Sequence, residues 1–300
     1  MGKGAVLFPG QGAQSVGMGK MDYDLYPSVR KLYARANEIV GYDLAQLIFS
    51  GPEDRLNTTE QSQPAIFLTS MGAILATREN NPDLEKSFEY TAGLSLGEYS
   101  ALVYAGAISF EDGLRLVSLR GKAMQQASEQ SNGGMVSIIG LPEEKVLEIA
   151  DAAGSGDLLT VANFLCPKNY VVSGTKTACE KAILLAREAG AIKTIPLTVA
   201  GAFHTDLMRP AMEQMKEVLQ NIPFNAPRIP VISNVDAKPH SDPDDIRTTL
   251  LAQICSSVRW ESCIRAMIAD GVDYYHEVEP GRVLRGLMKR IDRSMKTNKE

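Results

Sequence analysis

Short apolar runs and longer amphipathic stretches take turns along most of this chain. Residues 5–8 (AVLF) read as a buried strand that ends in the turn Pro9-Gly10-Gln11-Gly12. A helix is expected near 63–77, then a strand over 90–93 that runs directly into a helix after Ser95. Ser109, followed by Glu111 and Asp112, is placed to cap a further helix that reaches about residue 126. Strands alternating with helices predict an α/β architecture with parallel pairing. From 133 to 197 the rhythm changes. Strands are expected at 135–139, 158–163, 170–173 and 191–197, with helices opening at Pro142 and spanning 175–188. That β-α-β-β-α-β order is ferredoxin-like. The chain thus divides into a large α/β domain, hydrolase-like with a short parallel sheet (1–128 and 198–300), and a small inserted ferredoxin-like α+β domain (129–197). A helix is expected from His204, strands at 229–232 and 274–278, a last helix near Arg282, and a frayed tail at 295–300.

Composition narrows the functions open to such a fold. The chain has 300 residues, 44% of them hydrophobic and 22% charged, ordinary figures for an enzyme with a sizeable core. A net charge of −5 argues against a nucleic-acid binder. No apolar run approaches the ~20 residues of a membrane helix, and the N-terminus lacks signal-peptide character, so a cytoplasmic location is expected. The four cysteines (Cys166, Cys179, Cys255 and Cys263) form no C-x-x-C pair, and there are only three histidines. Reduced thiols and no metal site are expected.

The chemistry starts at Gly93-Leu94-Ser95-Leu96-Gly97, which matches the G-x-S-x-G nucleophile elbow in its strand–turn–helix setting. The helix that follows aims its first amides at Ser95, so the Leu96 amide can stabilise an oxyanion. A plain glycine-rich turn would read the same way. Serine needs a base. His240 lies in a polar, proline-containing loop, and His276 in an apolar strand pattern. His204 follows Ala200-Gly201-Ala202-Phe203 at a loop-to-helix junction, which favours it. The 10–12 stretch lacks the lysine and glycine spacing of a phosphate loop.

With these residues in view, the chain resembles the malonyl-CoA:acyl-carrier-protein transacylases and, more broadly, the acyltransferase domains of fatty-acid and polyketide synthases. The resemblance extends over nearly the whole chain. It is carried by 8–14 (FPGQGAQ), 93–102 (GLSLGEYSAL), Arg120-Gly121 with Met124-Gln125, Ala202-Phe203-His204, and Val283-Leu284 with Gly286-Leu287. It implies that Ser95 carries the malonyl group as an ester, with His204 as base. The Gln11 and Leu96 amides would form the oxyanion hole. A main-chain carbonyl, aligned at Ser256, would hold the histidine in place of an acid. Arg120 would grip the free carboxylate with its planar fork. Phe203 would favour unbranched malonate, and Asn163 and Met124 would complete the substrate site. The implied reaction is ping-pong transfer from malonyl-CoA to the phosphopantetheine thiol of acyl carrier protein, supplying fatty-acid synthesis. No bound cofactor, and a monomer, are expected.

Two features leave alternatives open. Arg282, Arg285, Lys289, Arg290 and Arg293 form either a docking surface for an acidic carrier protein or a solvated helix face. Leu94, Leu165 and Glu279 depart from the family pattern. A serine hydrolase, or a degenerate relative acting as a scaffold, are the competing readings.

Overall fold

The computed structural model describes residues 2–297. Its strands are β1 (Lys3–Phe8), β2 (Phe88–Gly93), β3 (Gly133–Ile139), β4 (Leu159–Cys166), β5 (Asn169–Thr175), β6 (Lys193–Pro196), β7 (Val231–Ile232), β8 (Pro239–His240), β9 (Val272–Glu277) and β10 (Lys296–Thr297). They form two sheets. The larger has the order β10-β9-β1-β2-β7-β8, and every pairing in it is parallel except β7–β8. Ala5, Val6, Leu7 and Phe8 of β1 are all buried because the strand lies between β2 and β9. A continuous apolar run is what a parallel strand covered on both faces requires.

The second sheet, order β4-β5-β3-β6, is antiparallel throughout and is built wholly from 133–196. Its strands use their period of two. Val136 and Val172 face a core shared with helices Glu143–Gly154 and Lys176–Glu188. Their neighbours Met135 and Val171 join the main core with Phe203. One face therefore carries its own helices while the other closes onto the large sheet's side of the molecule. Main-chain bonds from Phe164 N to Val258 O (2.9 Å) and from Val258 N to Ala162 O (2.8 Å) tie β4 to the loop beyond residue 253.

Several elements differ from expectation. Helices Lys20–Leu25, Pro27–Val40, Leu44–Ser50 and Glu53–Leu56 fill a stretch the sequence reading left blank. The helix expected at 63–77 runs over Thr59–Asn80, buried on nearly all sides. His204 begins no helix; it sits in a turn, and helix Arg209–Asn221 starts later. Part of the expected frayed tail, Lys296–Thr297, pairs in parallel with β9, and 298–300 lie outside the described residues. Among the described residues no helix is long and apolar enough to cross a membrane.

Candidate active site

Two turns at the carboxyl ends of adjacent strands meet here: 9–12 after β1, and the elbow after β2. The elbow is held by close backbone approach. A Cβ on Gly93 would lie 1.8 Å from the Gly97 carbonyl carbon, and one on Gly97 would lie 2.3 Å from Phe8 O. Only glycine lets helix Gly97–Tyr104 press this closely against the strand ends. Ser95, between them, takes φ 50°, the strained left-handed geometry of a nucleophile elbow.

The sequence candidates converge on that serine. Ser95 Oγ lies 2.8 Å from His204 Nε2, and His204 Nδ1 lies 2.8 Å from the Gln253 carbonyl oxygen. A carbonyl only accepts, so Nδ1 carries the proton. Nε2 of the neutral ring is then left to accept from the Ser95 hydroxyl. The ring is 5% exposed, and burial pushes its pKa down to about 4. The Arg120 charge adds to that shift, while the Gln253 and Ser256 carbonyls oppose it. The imidazole is thus a neutral acceptor at pH 7. The carbonyl within hydrogen-bond distance belongs to Gln253, three residues before the expected Ser256. The Ser256 carbonyl acts on the same ring only as the weaker of the two. The turn after helix Pro243–Ala252 directs the earlier carbonyl at Nδ1.

Arg120, on helix Phe110–Glu129, is 1% exposed and also reaches the serine. Nη1 donates to Gln63 Oε1 at 2.8 Å, and Nη2 donates to Ser95 Oγ and Gln253 Oε1, both at 3.0 Å. Its guanidinium carbon lies 5.4 Å from the Tyr99 ring centroid, a cation–π arrangement that supports a buried charge. Burial works against that charge, and Tyr99 and Glu98 favour it.

A cleft of about 460 Å³ opens over these groups. Gln11, Leu96, Met124, Asn163 and Phe203 line it with Ser95, Arg120 and His204. Met135, Leu197 and Val199 bring the small sheet's side into the wall, and Leu94 takes part from the elbow. Gln11 is braced by Nε2 donating to Thr59 Oγ1 at 3.3 Å. Among the described residues, the main-chain N–H groups of Gln11 and Leu96 have no protein acceptor, as donors kept for an incoming oxyanion would not. Ser173 Oγ donates to Phe203 O at 2.8 Å, so β5 fixes the segment that carries His204.

Four site residues escaped the sequence reading: Gln63, Glu98, Asn234 and Gln253. Asn234 Oδ1 accepts from Ser95 N at 2.7 Å, and its Nδ2 donates to Gly93 O at 2.9 Å. The other two histidines are elsewhere. His240 faces Asp236 at 3.1 Å, and His276 stacks on Phe88. Arg282, Arg285, Lys289, Arg290 and Arg293 lie on or beside helix Val283–Ile291, and none lines the cleft. All four cysteines are free thiols, and among the described residues no cluster could hold a metal ion.

Known proteins resemble this chain over nearly its whole length. The family model of the acyl transferase domain matches residues 6–297. The malonyl CoA-acyl carrier protein transacylase of Haemophilus influenzae is 44% identical over 291 residues, covering 97% of this chain and 93% of that protein. Its namesake in Bacillus subtilis is 42% identical over 300 residues, with coverage of 99% and 93%. An acyl carrier protein S-malonyltransferase from Vibrio cholerae superposes with a TM-score of 0.94 at 42% identity, over 98% of this chain and 95% of that one. A malonyl-transacylase solved in complex with a type II PKS acyl-carrier protein superposes with a TM-score of 0.94 at 39% identity, over 98% and 94%.

Proposed function

The chain belongs to the acyl transferase domain family, and on that premise we propose that it moves malonyl groups from malonyl-CoA to the phosphopantetheine thiol of an acyl carrier protein, supplying fatty-acid synthesis in the cytoplasm as a monomer. The observation that carries the reading is the position of Ser95 Oγ, between a neutral imidazole at 2.8 Å and a buried guanidinium at 3.0 Å.

In the first half-reaction the Ser95 hydroxyl gives its proton to His204 Nε2 as Oγ attacks the thioester carbonyl. The negative charge that forms on the carbonyl oxygen meets the amides of Gln11 and Leu96. When the C–S bond breaks, the imidazolium returns the proton to the departing CoA sulfur. The Gln253 carbonyl keeps the ring in the right tautomer throughout. In the second half-reaction His204 deprotonates the carrier thiol, whose sulfur attacks the ester carbonyl, and as the C–O bond breaks the imidazolium returns that proton to Ser95 Oγ. Ping-pong kinetics follow. Arg120 meets the free carboxylate with parallel hydrogen bonds, exchanging amide oxygens for a charged partner. Phe203, Met124 and Asn163 bound the space beside the acyl chain. No resident cofactor is needed. The basic residues from Arg282 to Arg293 are the docking surface offered to an acidic carrier protein. A hydrolase triad would set a carboxylate against Nδ1, where this chain has a main-chain carbonyl.

The test is intact mass after separate exposure to malonyl-CoA, acetyl-CoA and methylmalonyl-CoA. A single malonyl adduct is expected, absent from Ser95→Ala and discharged by a carrier thiol faster than by water. An adduct on another residue, or no preference for malonyl, would refute the reading.

A further inference from the structure

Glu98 is the second residue of helix Gly97–Tyr104 and is 3% exposed, yet it does not line the cleft. A single oxygen, Oε2, accepts from Gln253 Nε2 at 2.7 Å and from Asn234 N at 3.0 Å. Those two residues hold the reacting groups. With Gln253 Nε2 turned to Glu98 and to Ser95 O (3.0 Å), its Oε1 is left facing Arg120. The flipped amide would set an NH2 against the guanidinium and an oxygen against the carboxyl, two repulsive contacts. The main-chain carbonyl of the same residue holds His204, and Asn234 brackets the elbow through Ser95 N and Gly93 O. Nucleophile, base and cationic fork therefore lead, each through one amide residue, to one carboxyl oxygen.

We propose that Glu98 is a positioning residue for acyl transfer, its Oε2 orienting Gln253 and seating Asn234 so that Ser95, His204 and Arg120 keep their mutual geometry. The inference rests on the proposed roles of Ser95 and Arg120. What the network needs from Glu98 is an acceptor at the right reach. Its charge partner Arg120 is one amide away, and Tyr99 and Cys263 lie close enough to feel its charge. Burial pushes the carboxyl up to about 7, against bonds from Gln253, Asn234 and Ser233 and the Arg120 charge. A protonated carboxyl still offers an acceptor at Oε2.

Reach and charge separate in two variants. Glu98→Asp keeps the charge but withdraws the acceptor by about 1.5 Å, one carbon–carbon bond. Glu98→Gln keeps the acceptor and removes the charge. Single-turnover acylation by malonyl-CoA and by acetyl-CoA is measured on each full chain, alongside thermal unfolding. For Glu98→Asp the malonyl rate constant should fall about 100-fold, the scale of a misplacement near 1 Å, and the malonyl-to-acetyl ratio about tenfold. Glu98→Gln should stay within about threefold of the parent on both measures. Should the Asp variant fail to fold, Glu98→Ala replaces it with the same expectation. The inference is overturned if the Asp or Ala protein acylates like the parent, if both substrates lose equally, or if Glu98→Gln is impaired as much as Glu98→Asp. A parent protein that forms no malonyl-serine sinks the functional reading itself, an outcome distinct from all of these.

Discussion

Replacing Arg120 by alanine removes a cation that donates directly to the nucleophile, and the structure sets the size of the effect. Nη2 lies 3.0 Å from Ser95 Oγ, so an acyl group arriving there comes within a hydrogen bond or two of the guanidinium. The arginine is 1% exposed, so its pairing with a malonyl carboxylate belongs with desolvated charge pairs. Truncating one partner of such a pair costs about 2–5 kcal/mol, or roughly 30- to 5,000-fold in kcat/KM. The gross figure must be discounted, because the carboxylate displaces amide oxygens of Gln63 and Gln253 that already bind the fork. A loss on the order of 10²- to 10³-fold for malonyl is the expected outcome. Acetyl has no carboxylate to lose. It feels only the missing bond to Ser95 Oγ and two stranded amide oxygens, partly offset as His204 is relieved of the Arg120 charge. Its change should stay under about tenfold. Single-turnover acylation, read by intact mass against time, gives both rate constants from the same protein. Equal losses for malonyl and acetyl would show that Arg120 shapes the site without reading the carboxylate.

Two further outcomes follow from the same geometry. His204 acts as a base only when neutral, and burial holds its ring near 4, so the acid limb of Ser95 acylation should lie near pH 4. In Arg120→Ala, with one depressing cause gone, the limb should move upward; a parent limb between pH 6 and 7 would contradict this. Gly97→Ala would put a Cβ 2.3 Å from Phe8 O and 2.8 Å from Pro9 O, so the helix must back away from β1. Denaturant titration should show a loss of about 1–3 kcal/mol, with slower acylation as the Leu96 amide moves; unchanged stability and rate would refute the close-packing argument.

What could be read in advance was whatever local physics dictates. The apolar run of β1, the glycines of the elbow and the Ser109 cap, whose hydroxyl accepts from Asp112 N, each announce themselves in a few residues. The helices between 20 and 56 do not. They are four to fourteen residues long and are stitched by side-chain bonds across the chain, such as Asn37 Oδ1 accepting from Leu44 N and Ala45 N. Helix Thr59–Asn80 read short because its buried residues circle the whole helix, leaving no polar face to mark its ends. His204 at φ 62° is a tertiary outcome that no periodicity encodes. The Gln253 carbonyl, which lies 2.8 Å from His204 Nδ1 while that of Ser256 acts more weakly on the same ring, could not be singled out in advance, because every residue has a carbonyl and only the loop's path selects one. Glu98 did carry a signal, a carboxylate inside the apolar stretch of helix Gly97–Tyr104, and such residues are rarely fully buried without partners.

The missed residues are mostly amides, and that chemistry bears on why the fork works. A carboxylate placed directly on Arg120 would satisfy the guanidinium and compete with every acid that approached it. Bare burial would disfavour its charge and leave the fork unplaced. The hydrogen bonds to Gln63 and Gln253, with Tyr99 beneath, hold the cation in register while only partly satisfying it. A carboxylate can take two parallel hydrogen bonds from the planar fork and adds the attraction of a full negative charge, so a substrate carboxylate would outcompete neutral amide oxygens for the same donors. Glu98, a buried acid nearby, sits an amide's length away, where it accepts from Gln253 without filling the fork. On the proposed reading, selectivity for a charged acyl group would come from neutral partners that fix the arginine and yield to an anion, a division of labour invisible in any single motif.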